Sequence, residues 1–374
     1  MTSVETPDRV AKPDEPPVGA VQRSGARVRW VAAGVLVAVA VVLPFLPVPV
    51  PIVFDGTLDS PGVLHLLSLM CVMGAVAMTY DLLFGFTGLL SFGHGLYVAL
   101  GMYTTAVVLS ATDLGLGAAV LVVLVLGLAV PLTLGAVCLR VSGIAFAMVT
   151  LAFAQAGSIF VLRDPFDITG GELGLVLDFA KLPDRLVGVF NAQYRYWLAL
   201  ALLLVVVAVV RWSLNSRPGR VWQAIRDNEQ RVAVLGLRPY TFKLMVFVLA
   251  SFLATVAGAV YAVIVGGAHA EVTKATFTLG LLVMVVLGGT GRPYGAVVGG
   301  LVYTYLTHRL GALSTATQDL PAPVEGALGE PLLILGTMFV LLVLFLPGGL
   351  VSIARLRGPG VVDRLRAALG RANA

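Results

Sequence analysis

Charge is what this chain has least of. Asp, Glu, Lys and Arg make up only 12% of its 374 residues, about half the ~25% of an ordinary soluble domain. That excludes a core wrapped in a solvated shell. With 58% hydrophobic residues and a mean hydropathy of +0.95, the composition belongs to a polytopic membrane protein. Cysteine is nearly absent too: Cys71 and Cys138 both sit inside apolar runs, so no disulfide framework is expected and the redox compartment is not readable. There is no Gly-x-x-x-x-Gly-Lys-Ser/Thr phosphate loop, no zinc-ligand spacing and no Gly-x-Ser-x-Gly elbow. Buried charge is scarce as well. Asp81 is read at the end of an apolar run, where it can reach water, and His65 and His94 fall well inside runs. A proton-driven carrier uses buried carboxylates or charge chains, and a membrane enzyme a clustered acid, base or metal set. Neither is visible. Either the energy comes from another protein, or passage is passive.

What the chain does have is long uncharged runs. A bilayer crossing takes about 20 apolar residues, and Trp30–Phe54, Leu82–Thr112, Leu114–Leu139, Val141–Leu162, Leu244–Ala268 and Pro331–Ala354 contain no Asp, Glu, Lys or Arg. Pro61–Tyr80 carries only His65, and Tyr196–Val210 is flanked by Tyr194, Trp197 and Trp212 in the manner of an interfacial aromatic belt. Phe277–Gly289 and Tyr294–Thr307 are short and rich in glycine. The expected fold is an all-α polytopic transmembrane helical bundle of about ten spans. Placing the N-terminus inside leaves nineteen Lys/Arg and eight Asp/Glu on the inner segments, against six and twelve on the outer ones. The positive-inside rule therefore predicts N-in/C-in. It also explains the basic pI of about 9.4 without nucleic acid. Residues 1–29, polar and Pro-rich, read as a disordered cytoplasmic tail. Residues 30–354 form the membrane domain and residues 355–374 a basic cytoplasmic tail.

Leu82–Thr112 is unusual for an anchor. Its first half carries Gly85, Thr87, Gly88, Ser91, Gly93, His94 and Gly95, and each helix-interior glycine costs about 1 kcal/mol relative to alanine. Segments that bend or break to let a polar solute through tolerate that cost. Val286–Leu301, with Gly288, Gly289, Gly291, Gly295, Gly299 and Gly300, repeats the theme late in the chain. This hints at an internal repeat, or else at close packing through the Gly295–Gly299 spacing.

Two longer polar segments remain: 163–195, outside by the charge rule, and 211–243, inside with seven basic and two acidic residues. In the second, Asn215-Ser-Arg-Pro-Gly-Arg220 reads as a helix start. Val221, Ala224, Ile225, Val232 and Leu235 recur at helical spacing, and Gly236 followed by Pro239 reads as the stop. One amphipathic helix over 217–236 is expected. It could lie on anionic lipid through its arginines, or it could dock a cytoplasmic partner.

Together these blocks resemble the permease subunits of bacterial ATP-binding-cassette importers for branched-chain amino acids, of the LivM type. The resemblance rests on Gly85-Phe-Thr-Gly-Leu-Leu-Ser-Phe-Gly-His-Gly-Leu96, Arg140–Gln155, Thr169-Gly-Gly-Glu-Leu-Gly-Leu175, Gly219–Gly236, Gly288-Gly-Thr-Gly-Arg-Pro-Tyr-Gly295 and Leu344-Phe-Leu-Pro-Gly-Gly-Leu350. It implies a second, LivH-like permease, two cytosolic ATPases and an extracytoplasmic substrate-binding protein as partners, in membrane lipid. ATP and Mg would be bound by the ATPases, and no cofactor or metal by this chain. It makes 217–236 the coupling helix, with Arg217, Arg220, Ala224, Ile225, Arg226, Glu229 and Gly236 facing an ATPase. It puts Thr87, Gly88, Ser91, Gly93, His94, Thr150 and Gln155 near the translocation path. Gly348 stands where the family usually has Arg or Lys, and Ala145 where Tyr is common. A urea or short-amide permease of the same superfamily, a self-sufficient channel and a non-transporting scaffold are the alternatives.

Overall fold

A helix that is apolar on every side must face protein or lipid on every side, and α1 (Pro61–Thr87) is the one that faces protein along most of its length. From Cys71 to Leu83 every residue is buried. Around it in the computed structural model stand α5 (Ala192–Asn215), α8 (Pro239–Val265), α9 (Ala275–Gly288) and α10 (Gly295–Ala316). The remaining long helices are α2 (His94–Ala111), packed on α8, and the more peripheral α3 (Leu116–Cys138) and α4 (Ile144–Arg163). Two short helices, α6 (Arg217–Asp227) and α7 (Glu229–Val234), join α5 to α8. The structure describes residues 34–35, 37–46, 48, 56–292, 294–316, 334, 336–337, 339–340, 344 and 348–353. Both expected tails, 1–29 and 355–374, lie outside the described residues, as do many positions of the first and last apolar runs. The chain divides into residues 1–59 and 60–374. In the first unit, helical residues 37–42 lead into a 3-10 turn, Leu43–Phe45.

Six described helical segments are long and apolar enough to cross a membrane: Pro61–Thr87, His94–Ala111, Leu116–Cys138, Ile144–Arg163, Val189–Asn215 and Pro239–Val265. Ala275–Gly288 is apolar but shorter; at 1.5 Å per residue its fourteen residues reach about 21 Å, less than the ~30 Å hydrocarbon core. The fold is thus all-α and polytopic.

The first boundary in the sequence reading differs from the structure. Asp81 does not end a span at the water; it is fully buried, and α1 runs straight through it to Thr87. The uncharged run Leu82–Thr112 is therefore the last turns of α1, a break at residues 88–93, and α2.

Glycines let α2 and α8 touch backbone to backbone. A Cβ on Gly101 would collide with the Thr255 carbonyl, and one on Gly258 with the Val98 carbonyl. Gly299 meets the Met284 carbonyl in the same way, so the Gly295–Gly299 spacing does serve α9–α10 packing.

At the end of the bundle away from α6, the 164–191 connection is organised by one carboxylate. Asp164 accepts hydrogen bonds from the amides of Ile168 and Thr169 through Oδ1 (2.7 and 2.8 Å) and from Gly170 through Oδ2 (2.8 Å). These donors, that of Thr169 foremost, hold its pKa below the usual carboxylate value. Beyond this turn, β1 (Leu175–Val176) pairs antiparallel with β2 (Gly267–Ala268). Lys181 Nζ donates to the carbonyls of Leu109 (2.9 Å) and Thr112 (2.7 Å), closing the C-terminus of α2.

Replacing Gly258 by Leu should force α2 from α8 and lower unfolding stability by about 1–3 kcal/mol. Gly117→Leu, at a site with nothing within 4 Å, should leave it unchanged. Thermal unfolding of the two purified variants in detergent measures the difference.

Candidate functional site

A broken helix inside a membrane must find partners for the amides that the break releases. At the first break, Gly88 takes the left-handed conformation (φ 77°). Its amide and that of Leu89 bond back to Phe84 (3.2 Å) and Leu83 (2.9 Å), a helix-ending pattern that favours glycine. The next amides go to side chains. Phe92 donates to Thr150 Oγ1 of α4 (3.2 Å), Gly93 to Ser91 Oγ (3.3 Å), and Gly95 to Thr278 Oγ1 of α9 (3.0 Å). Hydroxyls from two other helices thus hold the break open.

The second break, between α9 and α10, meets the first through Asp81. Asp81 Oδ1 accepts from the Gly291 amide at 2.9 Å. A Cβ on Gly85 would strike both the Asp81 carboxylate and the Gly291 backbone, so glycine at 85 is what allows the approach. The Gly348–Gly349 turn also packs here. A Cβ at Gly348 would reach 2.8 Å from the Ser352 Cβ and 2.7 Å from Arg292 Nη2. Glycine at 348 thus leaves room for the Arg292 guanidinium.

The third element at this junction comes from the 211–243 segment. It is two helices rather than the single one expected over 217–236. Asn228 turns extended (φ −164°) and starts α7, its side chain accepting from the Arg231 amide at 3.0 Å. Asn is a strong helix N-cap, and a cap in mid-segment restarts the helix. The start at Ser216, whose Oγ accepts from the Gly219 amide (3.3 Å), and the stop at Gly236 (φ 81°) are where the sequence reading put them. The buried face of α6 is Gly219, Trp222 and Ile225. Trp222, which the apolar-spacing reading passed over, is 3% exposed and donates its indole N–H to the Phe242 carbonyl at 2.9 Å. Ala224 and Leu235, placed on the apolar stripe, are exposed instead.

Arg226 ties this segment to the bundle. Its Nη1 donates to the Gly85 carbonyl, its side chain lies against Gly88, and its charge interacts with Asp81. One arginine therefore touches the end of α1 just before the first break, while the carboxylate beside it holds the second. Lys243 Nζ pairs with Glu229 Oε2 at 2.5 Å, fixing α7 on α8. Arg217, Arg220 and Ala224 face outward.

The residues expected along a path fall into three places. Thr87 and Gly88 sit beside Arg226, the Thr87 hydroxyl bonded to the Leu82 carbonyl (3.0 Å). Ser91, Gly93 and Thr150 come together at the first break, the Thr150 hydroxyl also donating to the Ala147 carbonyl (2.8 Å). His94 is sealed within the bundle, its Nε2 at 2.9 Å from Thr79 Oγ1 and its ring edge-on to Tyr80 and Tyr97. Gln155 stands apart, exposed on the outward face of α4 among Ile144, Met148 and Ile159. The described residues contain no group of three or more His, Cys, Asp or Glu able to hold a metal.

The model of the family described as branched-chain amino acid transport system / permease component matches residues 62–346, a stretch holding both breaks and the α6–α7 segment. The chain is 26% identical over 318 residues to the high-affinity branched-chain amino acid transport system permease protein LivM of Escherichia coli (strain K12), covering 79% of this chain and 71% of that protein. Its likeness to the LivM protein of Salmonella typhimurium (strain LT2) has the same identity and coverage. A probable LivM permease of Methanocaldococcus jannaschii is 25% identical over 215 residues, 54% of this chain and 59% of that one. No solved structure matches the chain.

Asp81→Leu should leave the half-buried Gly291 amide without its acceptor, at a cost of about 1 kcal/mol, whereas Asp81→Asn retains a carbonyl oxygen there. Hydrogen exchange across residues 288–292 should accelerate in the leucine variant and stay near the parent rate in the asparagine variant.

Proposed function

Because the chain belongs to the family of branched-chain amino acid transport system permease components, we propose that it is a membrane-spanning subunit of an ATP-binding-cassette importer for branched-chain or similar hydrophobic amino acids. The observation that carries the reading is the reach of Arg226. A short helix outside the spans holds, through one side chain, the place where both broken helices meet. That is the arrangement a transporter needs when force arrives from outside its own bundle. The scarcity of buried charge agrees: apart from Asp81, engaged with Gly291, and Lys243, engaged with Glu229, no described Asp, Glu, Lys or Arg is buried.

In this reading two cytosolic ATPases bind ATP and Mg, and one of them seats against the outward face of α6, where Arg220, Gln223, Ala224 and Asp227 are exposed. A second, LivH-like permease completes the pore, and an extracytoplasmic binding protein delivers the amino acid and sets most of the selectivity. The membrane is the bacterial cytoplasmic membrane. The charge asymmetry between alternate segments supports ten spans with both termini inside, and it puts the Asp164 turn on the outer face and α6 on the inner one. Movement of α6 pulls on the end of α1 through Arg226 and changes the spacing of the two breaks. Ser91, Thr150 and His94 shape the wall from within. Gln155, an exposed amide on an otherwise apolar face of α4, meets the solute between the paired permeases.

Ala224→Glu places a bulky charge on the outward face of α6 without disturbing its buried side. Uptake by the reconstituted complex should fall at least tenfold, with ATPase subunits lost from the purified complex and the melting temperature of the permease unchanged. Uptake at the parental rate would remove the coupling assignment.

A further inference from the structure

Between α3, α5, α6 and α8 runs a groove of about 620 Å³, within the ~300–1,000 Å³ range of small-molecule sites. Nothing in the proposed transport cycle uses it. Its walls are Leu128 and Leu132 of α3, Trp222 of α6, and Leu244, Val248 and Phe252 of α8. Its polar residues gather at one end: Ser213 and Ser216 where α5 gives way to α6, and Thr241 in the first turn of α8. The groove is therefore graded, hydroxyls at the helix ends and hydrocarbon deeper in. From Thr241 to Phe252 along α8 is about 16 Å at the helical rise, close to half of the ~30 Å hydrocarbon core. Its depth is that of one leaflet. It opens sideways, beside Leu128, Leu132, Trp212 and Met245, which are exposed on membrane-crossing helices.

Charge lies at the hydroxyl end. Arg217 falls between two lining residues, Ser216 and Pro218, and Arg238 lies one turn before Thr241. Both are exposed, and among the described residues neither has an acidic partner. Of the nearby groups, Arg211 is engaged with Tyr294, Lys243 with Glu229, and Asp227 faces outward on α6. We infer that this groove is a binding site for an anionic membrane phospholipid, one acyl chain lying along α8 against Trp222 and the phosphate held between Arg217 and Arg238. Apolar walls with a cationic mouth fit an anionic amphiphile better than a transmembrane helix, which would bring no negative charge to the two arginines. Because Trp222 and Pro218 belong to α6, such a lipid would brace the segment that carries Arg226.

The test uses the full-length protein extracted with its associated subunits and placed in lipid nanodiscs with a phosphatidylglycerol that carries a photoreactive group in its acyl chain. Cross-links should map to residues 212–222 and 241–252. Unlabelled phosphatidylglycerol should compete for them at least fivefold better than phosphatidylcholine. Val248→Trp, which fills the groove, should remove most of the labelling. Should that variant fail to assemble, Arg217→Gln with Arg238→Gln leaves the walls intact and should abolish the preference for the anionic lipid, given the roughly fivefold contribution of each basic residue near an anionic surface. Equal competition by the two lipids would overturn the proposal. So would labelling of other lipid-facing helices with the groove segments protected, the result expected if a partner helix fills it.

Discussion

The arrangement depends on one polar junction inside an otherwise apolar bundle. The Asp81 carboxylate accepts the Gly291 amide, and Arg226 donates to the Gly85 carbonyl one turn further along α1. A charge in such surroundings is costly unless it is paired and hydrogen-bonded; here Oδ1 holds the Gly291 amide and the Arg226 charge lies nearby, while Oδ2 is buried with no hydrogen-bond partner among the described residues. Four pieces of chain distant in sequence meet there: the end of α1, the turn after α9, the short helix α6 and the Gly348–Gly349 turn. Glycines at 85, 88 and 291 let these backbones approach closely enough for two side chains to join them.

The rest of the bundle can be understood as support for two interrupted helices. Hydroxyls of Thr150 and Thr278 take the amides released at the first break, and a carboxylate takes one at the second. Glycine contacts at 101, 258 and 299 press the surrounding helices together without side-chain bulk. Where no other described helix covers a helix, as over much of α3, apolar side chains such as Leu121 and Val125 stay outward. In the proposed transport reading, the broken segments are the parts free to change spacing, and the close-packed pairs are the frame they move in.

Much of this was legible in the residues. Composition and uncharged runs are direct consequences of the bilayer as solvent, so the all-α polytopic class, the long spans and the glycine breaks follow from them. The family motifs led to the same permease family that matches residues 62–346. Local signals also carried the limits of the α6–α7 segment, at Ser216 and Gly236. What stayed hidden was long-range. An acidic residue between apolar runs reads as a water-facing end, because only the fold brings the amide of Gly291, 210 positions away, within hydrogen-bond reach of it. Asn228 reads as one more polar position on a helix until its side chain is seen capping the next one. Trp222 was missed because spacing arguments weigh aliphatic residues and cannot see the Phe242 carbonyl that receives its N–H.

The central claim is that force enters the bundle through Arg226, and the direct measurement is the number of solute molecules imported per ATP hydrolysed by a reconstituted complex carrying Arg226→Leu. The account predicts that hydrolysis continues while uptake drops at least tenfold, because the ATPases still seat on the outward face of α6 but no longer hold the end of α1. An unchanged ratio of uptake to hydrolysis would contradict it.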